Sequence, residues 1–206
     1  MDGLSLRRRI ALDIARSMRK SQEEEHPLRQ LFWECTLRCN LRCQHCGSDC
    51  KQVAATPDMP KEDFFKVLDS IAAKTDPHKV FVIISGGEPT MRADLEECGK
   101  GIYSRGFPWG MVTNGFGMTA ERFSRLLGAG LHSMTVSLDG LEENHDWLRG
   151  REGSFTRAAE TIRMAVRSGI AFDVVTCVNR RNYSQLPQLK EFLIGLGLKE
   201  WRLFSI

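Results

Sequence analysis

Three cysteines share one short stretch, Cys39-Asn40-Leu41-Arg42-Cys43-Gln44-His45-Cys46. Soft thiolates suit iron–sulfur clusters or zinc. A cubane cluster ligated fully by protein takes four cysteines. Three ligands leave one iron open, and an open position is where a metal centre does chemistry. Five of the seven cysteines fall between Cys35 and Cys50. That clustering reads as metal binding, because a disulfide framework spreads cysteines along a small secreted domain. Only Cys39, Cys43 and Cys46 satisfy the spacing of three and two intervening residues. Cys35 precedes them on a strand-like run and is expected to face the core; Cys50 follows and is expected to be exposed. Either could complete a zinc site or a four-cysteine electron-transfer cluster. A non-catalytic iron–sulfur protein for electron transfer or sensing, or a zinc-stabilised binding module, therefore stays open on residue types alone.

Further along come Gly86-Gly87-Glu88-Pro89, Thr113-Asn114-Gly115 and Ser137-Leu138-Asp139-Gly140, each after a short apolar run. Paired glycines let backbone approach a ligand closely, Glu88 supplies a carboxylate, and Pro89 stiffens the turn. Asn114 could orient a ligand or a loop, or form an Asx-turn. Asp139 could hold a turn with Gly140. Arg38 and Arg42 could offset the negative charge of a bound cluster or be solvated. Asn179 follows a later apolar run.

These residues need a frame. From residue 31 onward, strand-like runs (31–36, 79–85, 109–113, 133–138, 171–178, 200–205) alternate with helix-like ones (61–74, 93–104, 120–127, 155–168, 183–196). Gly106, Gly130, Gly169 and Gly197 follow helices, as C-terminal glycines do; Thr119 and Ser154 read as N-caps. The strands are nearly all apolar, which predicts a buried parallel α/β sheet. A doubly wound sheet and a barrel both fit the alternation. The motifs favour the barrel, since each closes a different strand at its C-terminal end. Residues 1–27 read as an N-terminal basic amphipathic helix (4–20), expected to pack on the core, and a charged connector (21–27). Residues 28–206 form the main domain. Cys98 and Cys177 are expected to be buried and inert. Ile206 falls inside the sixth strand, so a fragment of a longer protein is expected.

A hydrophobic fraction of 42% and a charged fraction of 27% are ordinary for a globular chain. The net charge of +3 gives no reason to expect nucleic acid as a partner. The absence of a long apolar stretch or signal-like N-terminus predicts no membrane span and a cytoplasmic location.

Taken together and in this order, the motifs resemble those of the radical S-adenosylmethionine (SAM) superfamily, nearest to its SPASM-type, peptide- or lipoprotein-associated members. The resemblance implies a partial (β/α)6 TIM-like barrel. It implies a [4Fe-4S] cluster on Cys39, Cys43 and Cys46, with S-adenosyl-L-methionine on the open iron. Reductive cleavage of SAM to a 5′-deoxyadenosyl radical and hydrogen abstraction would follow. It also implies cofactor-binding roles for Gly86, Gly87, Glu88 and Pro89 (methionine amino group), His45 (adenine), Asn114, Ser137 (ribose or carboxylate), Arg149 (methionine carboxylate) and Asn179. The implied partners are a peptide, protein or small-molecule substrate and an electron donor such as a flavodoxin or ferredoxin.

Overall fold

The computed structural model describes residues 5–48 and 50–206, without the side chains of residues 22–25. Six strands form one sheet: β1 (Gln30–Thr36), β2 (Phe81–Gly86), β3 (Trp109–Thr113), β4 (Leu131–Ser137), β5 (Ala171–Val178) and β6 (Trp201–Ser205). Their order is β1-β2-β3-β4-β5-β6, and every neighbouring pair is parallel. A doubly wound sheet reverses its strand order part-way; this one advances in a single direction, as a barrel wall does. The sheet is open, with β1 and β6 at its two edges.

Parallel pairing forces a crossover between strands, and helices supply it. They are α2 (Lys61–Ala72), α3 (Leu95–Tyr103), α4 (Ala120–Gly128), α5 (Glu142–Arg149), α6 (Ser154–Ser168) and α7 (Leu186–Gly195). Alternate strand residues meet these helices. Trp33, Val82, Ile84, Trp109, Met134, Val136 and Val174 are each no more than 5% exposed and join one core with Phe64, Leu68, Leu95, Ile162 and Leu189. The intervening residues, among them Ser85, Val112, Thr135 and Ser137, lie on the face turned away from the helices.

At the β1 edge Trp33 stacks on Phe64 of α2, ring centroids 3.9 Å apart and ring planes nearly parallel. The Arg92 guanidinium lies 5.0 Å from the Trp33 ring centroid. Arg92 is itself buried. Its Nη1 donates to the carbonyls of Cys35 (2.8 Å) and Met59 (2.9 Å), and its Nε to Asp94 (2.7 Å). One cation thus fixes the end of β1 and the chain entering α2.

Several expectations need correction. The N-terminal helix α1 runs Leu6–Glu25, so the expected connector is mostly helical; Leu4 lies outside the described residues. It does not pack on the core: Leu6, Ile10, Ile14 and Met18 are all more than half exposed. Ser154 opens α6 but does not cap it. The Asp146 carboxylate, from α5, accepts from Gly153 N (2.7 Å), Ser154 Oγ (2.8 Å) and Phe155 N (2.8 Å). Helix α5 itself was not expected. Thr119 does cap α4, and the four glycines after helices all have positive φ.

Phe64→Ala should cost about 3–5 kcal/mol, because it removes the ring that Trp33 stacks on and leaves a cavity beside it. Urea unfolding checks this; a loss below about 1 kcal/mol would show that the edge collapses to fill the space.

Candidate functional site

The loop after β1 carries the cysteines, and its neighbours hold it by backbone. Gly87 N donates to Thr36 O (2.8 Å), Glu88 N to Arg38 O (2.9 Å), Arg42 N to Arg149 O (3.2 Å) and Gln44 N to Leu148 O (2.9 Å). Cys39 N donates to Lys51 O at 2.8 Å, closing the loop on itself. These contacts explain the glycines. Gly86 has φ +129°, and a Cβ at Gly87 would lie 2.3 Å from Arg38 O. Only glycine admits both the dihedral and the approach. Gly150 does the same at the other side, where a Cβ would come 2.3 Å from Arg42 O.

The result is a cavity of about 250 Å³, lined by Cys39, Cys43, Cys46, Cys50, His45, Gly86, Gly87, Glu88, Asn114, Ser137 and Arg149, with Ser85, Val112 and Thr113 on its floor. Three cysteines and six of the nine other candidate residues from β2, β3, β4 and α5 therefore meet, with His45 making the seventh. Pro89 and Asn179 do not line it. Pro89 opens a short 3-10 turn. The Asn179 side chain accepts from Arg181 N and Asn182 N, which makes it a turn residue.

Glu88 is fully buried and accepts four hydrogen bonds. Its Oε1 receives Thr90 N (3.1 Å), Thr90 Oγ1 (2.8 Å) and Thr113 Oγ1 (2.7 Å); its Oε2 receives Asn114 N (2.8 Å). Burial pushes this carboxyl up from its ordinary pKa, and the four donors oppose that. Asn114 does both things open to it. Its Oδ1 accepts from Phe116 N (2.8 Å) in an Asx-turn, and its Nδ2 donates to Asn40 Oδ1 (2.8 Å) and approaches Cys39 Sγ (3.9 Å). Arg38 is partly exposed and ion-paired with Asp58.

Asp139 does more than hold a turn. It is completely buried, and its Oδ2 accepts from Arg149 Nε at 2.6 Å while Oδ1 accepts from Cys177 N at 2.7 Å. Arg149 Nη1 lies 3.7 Å from Cys43 Sγ. Cys177, expected to be buried, is half-buried beside this pair. Cys50, expected to be exposed, is part-buried at the cavity. Cys35 sits in the core as expected, where burial pushes its thiol up to about 12.

A scan against family models matches the radical SAM superfamily over residues 33–193. The chain belongs to the radical SAM superfamily. It is 32% identical over 163 residues to Fe-coproporphyrin III synthase of Methanosarcina barkeri, covering 79% of this chain and 40% of that protein. It is 28% identical over 170 residues to PqqA peptide cyclase of Methylocella silvestris, covering 82% of this chain and 45% of the relative. Among solved structures, Streptococcus suis SuiB bound to S-adenosylmethionine superposes with a TM-score of 0.71 at 16% identity, covering all of this chain and 48% of SuiB. That likeness shows a shared fold. The chain spans less than half the length of these three proteins.

The superfamily implies a [4Fe-4S] cluster and SAM, and the donor set fits them. Cys39, Cys43 and Cys46 are all free thiols on one loop. Hydrogen-bond donors already face two of the sulfurs: Leu41 N lies 3.5 Å from Cys39 Sγ, and Arg149 faces Cys43. The His45 Nδ1 is buried with no partner. Burial pushes the Cys39 and Cys43 thiols up, so a metal must displace their protons to bind. Among the described residues, no three His, Cys, Asp or Glu side chains converge on a single-ion site. A cubane does not need that convergence, because each thiolate binds its own iron.

His145 is the titrating group that couples this site to stability. Its Nδ1 accepts from Asp139 N (2.9 Å), and burial, reinforced by the Arg149 charge, pulls its pKa down to about 4. Unfolded chain binds a proton near pH 6.5 that the fold refuses until about pH 4, so stability is full above 6.5 and falls on acidification through that window. The loss should reach roughly 3 kcal/mol at most. His145→Asn, which keeps an acceptor for Asp139 N, should flatten this slope in urea titrations run from pH 7 to 4. An unchanged slope would assign the acid sensitivity elsewhere.

Proposed function

We propose that this chain is the core of a radical SAM enzyme whose Cys39, Cys43 and Cys46 hold a [4Fe-4S] cluster and leave one iron for S-adenosylmethionine. The observation that supports it is the meeting of three free thiols with the Gly86-Gly87-Glu88 turn in one cavity. Bound together, cluster and nucleotide supply reductive cleavage of the sulfonium and hydrogen abstraction from a substrate.

The chain's own residues position and shield. Glu88 Oε2 carries a single donor and keeps an acceptor site for the methionine ammonium, a charge-assisted pairing. The Gly86 and Gly87 backbone lets that ammonium approach. Arg149 Nη2 makes no hydrogen bond among the described residues and is the arm free for the carboxylate. Ser137 lies at the end of β4 for the ribose or carboxylate, and His45 flanks the loop for adenine. Cys46 is the exposed member of the three, so an electron from a flavodoxin- or ferredoxin-type donor enters on its side.

The substrate reading rests on the relatives' names. PqqA peptide cyclase supports a peptide or protein substrate. The 32% identity to Fe-coproporphyrin III synthase favours a second reading, a tetrapyrrole. Parallel turnover assays with a candidate peptide and a coproporphyrin choose between them.

Cys39→Ala, Cys43→Ala and Cys46→Ala should each abolish the cluster, read as loss of bound iron and sulfide after anaerobic reconstitution. Cys50→Ala should keep it, and keep release of 5′-deoxyadenosine when SAM and reductant are added. Loss of the cluster in Cys50→Ala, with a wild-type cluster inert to SAM, would establish a four-cysteine electron-transfer protein instead. Glu88→Gln should retain the cluster and bind SAM roughly tenfold or more weakly, since a charged hydrogen bond is lost. Equal affinity by calorimetry would remove Glu88 from the nucleotide site.

A further inference from the structure

Arg149 is 8% exposed and sits in the last turn of a helix of eight residues. A cation so enclosed needs a partner, and Asp139, wholly buried, provides it at 2.6 Å. Asp139 is itself immobile. Its other oxygen accepts from Cys177 N (2.7 Å), its amide donates to His145 Nδ1 (2.9 Å), and its carbonyl accepts from Asn182 Nδ2 (2.5 Å). One of these contacts holds the carboxylate and two hold the Asp139 backbone, and the carboxylate meets one edge of the guanidinium. The planar fork then has only one direction for Nη1, which is Cys43 Sγ at 3.7 Å. The backbone repeats the constraint, since Arg42 N donates to the carbonyl of Arg149 (3.2 Å). The sulfur and the guanidinium are therefore linked both by side chain and by backbone.

We propose that Arg149, oriented by Asp139, donates a hydrogen bond to the Cys43 sulfur and so raises the reduction potential of the cluster that this thiolate holds. This rests on the cysteine ligation proposed above. A hydrogen-bond donor beside a ligating thiolate favours the more negative, reduced cluster, and hydrogen bonds to sulfur are among the determinants of cluster potential. Asp139 is then a positioning residue. It cancels the net charge that burying Arg149 would bring, while leaving the N–H dipole aimed at sulfur. The direction matters for function, because a cluster that is easier to reduce accepts an electron more readily from a weak donor.

The test uses reconstituted wild-type protein, Arg149→Gln and Arg149→Lys, without SAM, so that no methionine carboxylate competes for the arginine. Iron and sulfide content is measured first, then the midpoint potential by EPR-monitored titration, then the iron–cysteine stretching bands by resonance Raman. Arg149→Gln should keep the full cluster, shift the potential to more negative values and raise a stretching band, since a thiolate freed of a donor binds iron more strongly. Arg149→Lys keeps the charge without the fork and should fall between. Equal potentials and bands in all three proteins, with full clusters, would overturn the proposal. So would loss of the cluster from both variants, because Arg149 would then be needed to hold the loop. A wild-type protein that takes up no cluster would instead sink the ligand assignment.

Discussion

The cysteine loop has little regular structure of its own, and its shape depends on backbone hydrogen bonds lent by the turn after β2 and by the C-terminal end of α5. The amides of Gly87 and Glu88 reach Thr36 and Arg38 on one side; the carbonyls of Leu148 and Arg149 receive Gln44 and Arg42 on the other. Backbone polar groups removed from water need partners, so these four contacts are also what lets the loop fold inward over the sheet end. Two of the side chains that line the cavity, Glu88 and Arg149, are placed by the same four contacts. Glu88 follows Gly87 directly, and Arg149 carries the carbonyl that holds Arg42. The residues that shape the loop and the residues that face it are thus adjacent in sequence, and neither set can shift alone.

Four buried charged residues lie around this arrangement, in three different settings. Arg92 spends its donors on carbonyls of the chain flanking β1 and on Asp94. Glu88 is a lone carboxylate met only by donors, which ties the ends of β2 and β3 together. Asp139 and Arg149 pair with each other. An uncompensated charge in such surroundings is costly, so deleting one partner disrupts more than the pair contributes. Glu88 is the most consequential of the four, because Thr90, Thr113 and Asn114 would all lose an acceptor with it. That is why an amide, and not a truncation, probes its role towards a ligand.

Much of this was legible in the chain. The x3–x2 cysteine spacing, the strand-ending motifs and the alternation of apolar runs with helix-like segments led to a parallel sheet whose motifs share one end. What escaped was carried by tertiary contact. Helix α5 is short and polar, with no apolar stripe to announce it; Glu142 and Glu143 in its first turn, Arg149 in its last and Gly150 after it were the signals available. Ser154 looked like a cap because capping by Asp146, eight residues away on another helix, leaves no local pattern. Asp139 looked like a turn residue for the same reason, since its partners Arg149 and Cys177 lie on other elements. The exposure of α1 was also invisible, because an amphipathic pattern shows that a face is apolar and not what it meets.

The guanidinium of Arg149 draws these threads together, because it has three arms and three claims on them. Nε belongs to Asp139 and Nη1 faces Cys43. Only Nη2 remains for a carboxylate. A bidentate carboxylate pairing needs two parallel donors, and the side-on pair of Nε with an Nη arm is already committed to the Asp139 edge. A methionine carboxylate approaching here would therefore be held by a single arm, or would take Nη1 from the sulfur. In the first case the arginine acts on nucleotide and cluster at once. In the second, nucleotide binding would itself release the Cys43 sulfur and lower the potential of the cluster it is proposed to hold. The geometry favours the first, because the Arg42–Arg149 backbone contact and the Asp139 anchor keep the fork where it is. Swinging Nη1 away would strain the pairing to Asp139, whose carboxylate is completely buried and costly to leave unpaired.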